Sequence, residues 1–477
     1  MIRSARLSPS LLVALACAPA CAPSRSALFE PVADDVRTRT GLEVAWRDGD
    51  QVRPPEVRRA IDQALARPLD ADGAARIALL ARPAVQAAFA ELGASAADLA
   101  AAVAPGRVDV ELEARRAMGD GSASSELELS ALTDVLDLLA LPARRGAARA
   151  GVEAARARAA RAAIDVAAEA RIALYRAVAA EQVVAMRRSA HQAASASLEL
   201  ARRLRAAGNN TPLALAQEEA LYEQSRLDLA SAEAARAEVR EVLVAALGLY
   251  GGETGFATVD HLPDPPELPA DLERLEATAV EHSLELADLR AQAEAAARSV
   301  GVARWRAILP GLGAGVGAQR ESDASWSVGP AVRLSLPLLD WGQGERGRAW
   351  GELRRVRHLH ADRAIRVRAA ARAGIQRLVA ARQRALQLRD VIVPLRKRIA
   401  DATLLQYNAM QASPFELVAA RQAEIDARRQ AVEALRDAWI ATAEVDRIAA
   451  GGTADFATQS SSGPAAAPDR SRHGGLE

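Results

Sequence analysis

Apolar side chains along this 477-residue chain recur with two alternating periods, and the periods change in the same order twice. A helical signal begins near Ala71, restarts at Pro83 and runs to Val103, with Phe89, Leu92, Leu99 and Val103 at helical spacing. The period then drops to two. Val108, Val110, Leu112 and Ala114 fall on one side of a segment whose other side carries Asp109, Glu111 and Glu113, which predicts a strand with one wet face. After a Gly/Ser-rich turn from Met118 to Ser125, the alternation resumes through Glu126, Leu127, Glu128, Leu129 and Ser130 and completes a hairpin. Helical composition returns from Ala143 to Ala207, about 65 residues without proline that would reach roughly 100 Å. Gly208-Asn209-Asn210-Thr211-Pro212 then supplies stop and cap signals before a second long helix, Leu213 to Leu247.

The second half repeats this plan. Leu312, Ala314 and Val316 alternate with glycines, and after Glu321 to Ala324 come Trp326, Val328, Pro330, Val332, Leu334, Leu336 and Leu338 in alternate positions. A long helix follows from Gln343 to Tyr407, with a kink expected at Pro394. A turn from Asn408 to Pro414 leads to a returning helix, Phe415 to Ala449. Ala104-Pro105-Gly106 recurs as Leu309-Pro310-Gly311, Asp137 as Asp340, and Thr211-Pro212-Leu213 as Ser413-Pro414-Phe415, all at an offset of 202 to 205 residues. Three landmarks at nearly one offset mark an internal duplication. The predicted organisation is a signal peptide (1–21), an irregular, proline-broken N-terminal arm (22–70), a first repeat (71–250), a linker (251–275), a second repeat (276–450) and a disordered Gly/Ser/Pro/Ala tail (451–477).

Composition sharpens the picture. Half of the residues are apolar by type but only 3% are aromatic, and alanine and arginine dominate long stretches, so close packing of long helices on small residues is favoured over a bulky core. The 61 basic and 61 acidic residues cancel, which gives no support to nucleic-acid binding. Arg3 and Arg6 precede a short apolar run, Leu11 to Ala16, as in an export signal. Both cysteines of the chain, Cys17 and Cys21, follow that run at once. Their placement resembles a bacterial lipoprotein signal, although neither has leucine three places before it; Cys21 is the favoured lipidation site, Cys17 the other candidate, and an ordinary secretory signal the alternative.

Catalytic patterns find no support. His358 and His360 are two apart on a predicted helix, which puts their rings on different faces, whereas helical metal pairs need a spacing of about four. The sequence carries no phosphate-binding glycine loop, nucleophile elbow or Cys/His metal set, so neither an enzyme nor a cofactor is expected. Four strands alone would leave exposed edges. Alternating apolar and polar faces in an exported chain suit a barrel closed by several copies, with a soluble sandwich or an edge-capped sheet as the alternative. A helix of 65 residues likewise needs partners for its apolar stripe.

With these elements in order, the chain resembles the outer-membrane efflux protein family, the TolC-like export channels, from about Ala71 to Ala450. The run Leu334-Ser-Leu-Pro-Leu-Leu-Asp-Trp-Gly-Gln-Gly344 is similar to the family's strand-to-helix passage, and Thr211-Pro212-Leu213 and Ser413-Pro414-Phe415-Glu416-Leu417 to its hairpin tips. The resemblance implies a mostly α fold with a small β part: three copies share one β-barrel in outer-membrane lipid, and their helices continue it as a hollow periplasmic tunnel. It further implies a passive exit duct working with a periplasmic adaptor and an inner-membrane transporter. A periplasmic coiled-coil scaffold or adaptor without a barrel is the competing reading.

Within such a channel Asp109, Glu111, Glu113, Glu126, Glu128 and Arg333 would face the barrel lumen. Val108, Val110, Leu112, Leu127, Leu129, Val332, Leu334 and Leu336 would face lipid. Glu416 occupies the place of the first acid of the family's periplasmic gate; the second place is Ala419, so a double acidic ring is not expected. Glu416 can equally serve as a helix-start carboxylate. Tyr407 and Arg205 flank the two tips as candidate gate or adaptor contacts.

Overall fold

The computed structural model describes residues 24–47, 53–104, 108–117, 124–269, 271–308, 311–320, 325–335 and 342–454. The expected export signal with Cys17 and Cys21, the Pro105-Gly106 and Leu309-Pro310 breaks, Leu336 to Trp341 with Asp340, and residues 455–477 lie outside the described residues.

The N-terminal arm corrects the expectation of an irregular segment. It holds two helices, α1 (Arg25–Thr40) and α2 (Pro55–Leu65). Pro31 lies inside α1, where it forfeits one backbone bond, yet the helix persists because Leu28, Val32 and Val36 are buried against the rest of the chain. Pro55 opens α2, at the first helical position, where a missing N–H costs nothing.

The first repeat runs α3 (Ala71–Ala81), α4 (Pro83–Val103), β1 (Val108–Ala117), β2 (Ser124–Asp134), a five-residue α5 (Val135–Leu139), the 66-residue α6 (Leu141–Ala206) and α7 (Pro212–Leu247). The second runs α8 (Leu275–His282), α9 (Leu284–Ile308), β3 (Gly311–Arg320), β4 (Trp326–Ser335), α10 (Gln343–Gln387), α11 (Val393–Asn408) and α12 (Pro414–Ala449). Between the repeats, Leu69 and Thr258 form a parallel bridge that pins the linker to the start of α3. The kink expected at Pro394 takes a specific form. A π-helical turn, Leu388–Ile392, joins α10 to α11 directly before the proline. Widening the turn accommodates a residue that has no N–H and whose ring would press on the carbonyl four residues back.

The helices form one continuous layer. At the sheet end, α6 lies between α4 and α9, and α9 lies between α6 and α10. Towards the hairpin tips, α6 lies between α7 and α12, and α12 also packs on α10 and α11. Alanine dominates the contact line of α6: Ala159, Ala160, Ala163, Ala167 and Ala170 are almost fully buried. Small side chains let backbones approach closely, so apolar surface is buried along the length of the layer, on which α1 and α3 also pack against α6. Among the described residues no single helix is long and apolar enough to cross a membrane; the bent pair α3–α4 comes nearest, and its apolar side chains are packed in the chain's own core.

Candidate functional site

The four strands form one antiparallel sheet in the order β1-β2-β3-β4, so the two hairpins join through β2 and β3. Register determines which residues share a face, because directly paired residues point the same way. Val110 pairs with Ala131, Ala131 with Val316, and Val316 with Pro330; Leu112, Leu129, Ala318 and Val328 form the next row. These two rows are apolar across all four strands, and Thr133 and Arg320 fall on the same face on either side of them. Asp109, Glu111, Glu113 and Glu128 fall on the opposite face with Ser130, Gly317, Gln319 and Arg333. Glu126 pairs with Arg115 in the backbone register. The expected division into two faces is thus present in the strand pairing, apart from Leu336, which lies outside the described residues.

The polar face is concave. Arg333 on β4 donates to the Glu111 carboxylate on β1, although two strands separate them in the sheet. Such a contact requires the sheet to curl towards this side. Glycines on β3 permit it: a Cβ on Gly315 would collide with the Ala131 carbonyl of β2, whereas one on Gly317 would meet Ala331 at an ordinary 3.6 Å. Glu113 and Glu128 face each other directly across the hairpin, which gives this surface a local excess of negative charge. On the other side Val110, Leu112, Val328 and Val332 are all more than 60% exposed, an apolar surface the chain does not cover by itself. Strands β1 and β4 each keep one unpaired edge.

Both hairpin tips end in the same turn. At the first, Gly208 N–H bonds the Arg205 carbonyl and Asn209 N–H that of Leu204; at the second, Met410 N–H bonds Tyr407 and Gln411 N–H bonds Gln406. Arg205 and Tyr407 are therefore one structural position in two copies. Arg205 spends a guanidinium N–H on the Asn210 carbonyl of its own turn, 3.0 Å away. Thr211 and Ser413 cap the returning helices. The Glu416 carboxylate accepts from Ser413 N–H at 2.7 Å while the Ser413 hydroxyl accepts from Glu416 N–H at 3.2 Å, a reciprocal capping box. That geometry gives Glu416 a helix-start role and leaves the carboxylate exposed at the tip.

Several polar links between helices carried no signal in the sequence. Arg187 on α6 bridges Asp228 on α7 (3.1 Å) and Asp426 on α12 (3.4 Å), joining the two long hairpins. Glu424 is buried between Arg421 and Arg428, and Arg421 also reaches Asp401 on α11. Ser197 donates to the buried Glu218 at 2.6 Å, tying α6 to α7. Past α12 the chain folds back onto α6, where Thr453 N–H donates to Asp165 at 2.8 Å. Burial pushes the Asp165 carboxyl above its usual range despite these bonds, and burial raises Asp446 as well, against the pull of Arg171. Tyr175, buried beside Trp439, is pushed up to about 12. Periodicity locates such helices but not which of their many arginines face one another. For Met410, missed in the sequence, the offset of 202 from Gly208 is the signal that points to the left-handed position of the turn.

No family model and no curated protein sequence matches the chain. Solved structures do match. The outer membrane protein VceC from Vibrio cholerae is 17% identical, with 84% of this chain and 97% of that one covered at a TM-score of 0.63. The Campylobacter jejuni CmeC outer membrane channel is 15% identical, with 84% and 87% covered at 0.64. The open state of the Neisseria gonorrhoeae MtrE outer membrane channel is 17% identical, with 85% and 94% covered at 0.54. At these identities the likeness establishes a shared fold, and the mostly helical chain with a small antiparallel sheet that the family resemblance implies is the one observed.

Proposed function

We propose that this chain is the outer-membrane channel component of a tripartite efflux or secretion system. The observation that carries the reading is the mainly apolar face, with two rows apolar across all four strands, backed by a concave charged face and open at both edges. A sheet of that kind is stable when copies pair edge to edge into a closed barrel with lipid outside and water inside. Three copies would supply twelve strands. The helical layer would continue the wall as a periplasmic tunnel about as long as α6, roughly 100 Å.

In this reading the chain is a passive duct. A periplasmic adaptor docks near the helical hairpins, an inner-membrane transporter supplies energy and chooses the cargo, and no residue performs catalysis. Asp109, Glu111, Glu113, Glu126, Glu128 and Arg333 line the barrel lumen, while Glu416, Tyr407 and Arg205 sit around the periplasmic entrance. Cys21, or Cys17, carries the lipid anchor of the mature protein, which intact-mass spectrometry of the exported chain reads directly. The deciding experiment is membrane fractionation of the full-length protein, followed by detergent extraction and mass determination of the complex. A trimer in the outer-membrane fraction supports the duct; a periplasmic monomer or dimer overturns it and favours the scaffold reading.

A further inference from the structure

The helix-to-strand junction carries a surface that duct formation does not use. At the end of α9, Trp305 stands 67% exposed between Arg304 and Arg306, and in α5 Leu139 is 72% exposed beside a half-exposed Leu138. Arginine near a helix C-terminus is ordinary, but a bare tryptophan and two bare leucines there are not. Arg306 donates to Asp137 at 2.7 Å, and Arg144 approaches the same carboxylate at 3.6 Å. These bonds set Trp305 and the leucines at one height, directly beyond Asp134 and Gly313, the last pair between β2 and β3.

That location decides what can cover the surface. Strands β2 and β3 are the middle of the sheet, farthest from the edges where a second copy would join. Helix α9 already has α6 on one flank and α10 on the other, so its exposed side faces outward or into the tunnel. A water-filled tunnel disfavours Trp305, whereas the apolar outer face of the sheet ends at this level. Ten residues of strand inclined at about 45° give an apolar band of roughly 25 Å, so the junction falls at the headgroup layer. Tryptophan with flanking arginines suits that layer: the ring takes the boundary and the guanidinium groups take phosphate. Arg304 has no ion-pair partner among the described residues.

We infer that Arg304-Trp305-Arg306 and Leu138-Leu139 form an interfacial collar that grips the inner leaflet of the outer membrane through anionic phospholipid headgroups, an inference that rests on the outer-membrane reading. The test uses the full chain in vesicles of phosphatidylethanolamine and phosphatidylglycerol. Emission of the wild type minus that of Trp305→Phe isolates Trp305, and the same subtraction with Trp326→Phe isolates a residue at the far end of β4. Lipids brominated near the headgroup should extinguish the Trp305 emission more than lipids brominated at the chain end, and brominated phosphatidylglycerol more than brominated phosphatidylethanolamine. If Trp326 is quenched and Trp305 is not, the collar is wrong and the barrel stands. Equal quenching by the two headgroups removes the anionic recognition. If neither tryptophan responds, the outer-membrane reading fails with the collar. Should Trp305→Phe not fold, Trp305→Tyr gives the same subtraction with a polar tip retained.

Discussion

Gly208 and Met410 hold the same left-handed backbone position, with φ of +78° and +60°, in the two hairpin turns. Glycine adopts it freely; methionine meets its own Cβ there, at a cost of about 1 kcal/mol. Met410 is also 94% exposed, so it gains no packing in return. Met410→Gly should therefore tighten the second tip by about 1 kcal/mol, seen as a roughly fivefold gain in hydrogen-exchange protection at the Gln411 amide. Unchanged protection would show that the turn is not strained.

The Arg333–Glu111 pair is half-exposed, so its loss should cost less than about 1 kcal/mol. Its larger effect is electrostatic. Arg333→Gln leaves Glu111 uncompensated on the concave face, and in planar bilayers the reversal potential under a salt gradient should move towards cation preference. No movement would place that face outside the conducting path.

Gly315 and Gly317 look alike in sequence and differ in space. Gly315→Val should cost about 4 kcal/mol or more and abolish the detergent-extracted trimer of the proposed duct, because the new side chain meets backbone. Gly317→Ala should be tolerated within roughly 1 kcal/mol, since its Cβ makes only van der Waals contact with Ala331. Equal sensitivity at the two sites would refute the curvature argument.

Arg187 links α7, α6 and α12 with one guanidinium. Arg187→Ala should separate the hairpins at a cost of about 1 kcal/mol in global stability, with hydrogen exchange rising on both sides of the break. Exchange confined to α6 would mean that the hairpins are held together elsewhere.

Asp446 gives a pH dependence with a definite sign. Its folded carboxyl keeps a proton to higher pH than an unfolded aspartate, so it favours the fold when protonated. That contribution is complete below the ordinary value of 3.8 and disappears as pH rises through the folded value. Asp446→Asn should melt above the wild type near pH 7 and converge with it towards about pH 4. A constant difference across that range would assign the effect to something other than ionisation.

The long elements were legible in the residues because each obeys one period. Alternation from Val108 to Ala114 and the cap-and-proline pairs at Thr211-Pro212 and Ser413-Pro414 placed strands and hairpin turns within a residue or two. The arm departs from the expected irregular segment because burial of Leu28 and Val32 sustains one helix across Pro31, and Pro55 starts the other. The Arg187 bridge was invisible for a different reason. Among 61 basic residues, which one meets Asp426 depends on the rotation of two helices 239 positions apart.

The two open sheet edges make each chain an unfinished object. Edges on β1 and β4 are different surfaces, so copies pairing into the proposed barrel would join head to tail, and only ring closure would satisfy the last pair. A chain with a sound β4 and a proline-blocked β1 would still enter a growing ring and then end it. Such a variant, made beside the normal chain, would poison assembly out of proportion to its abundance: genetically it would be dominant.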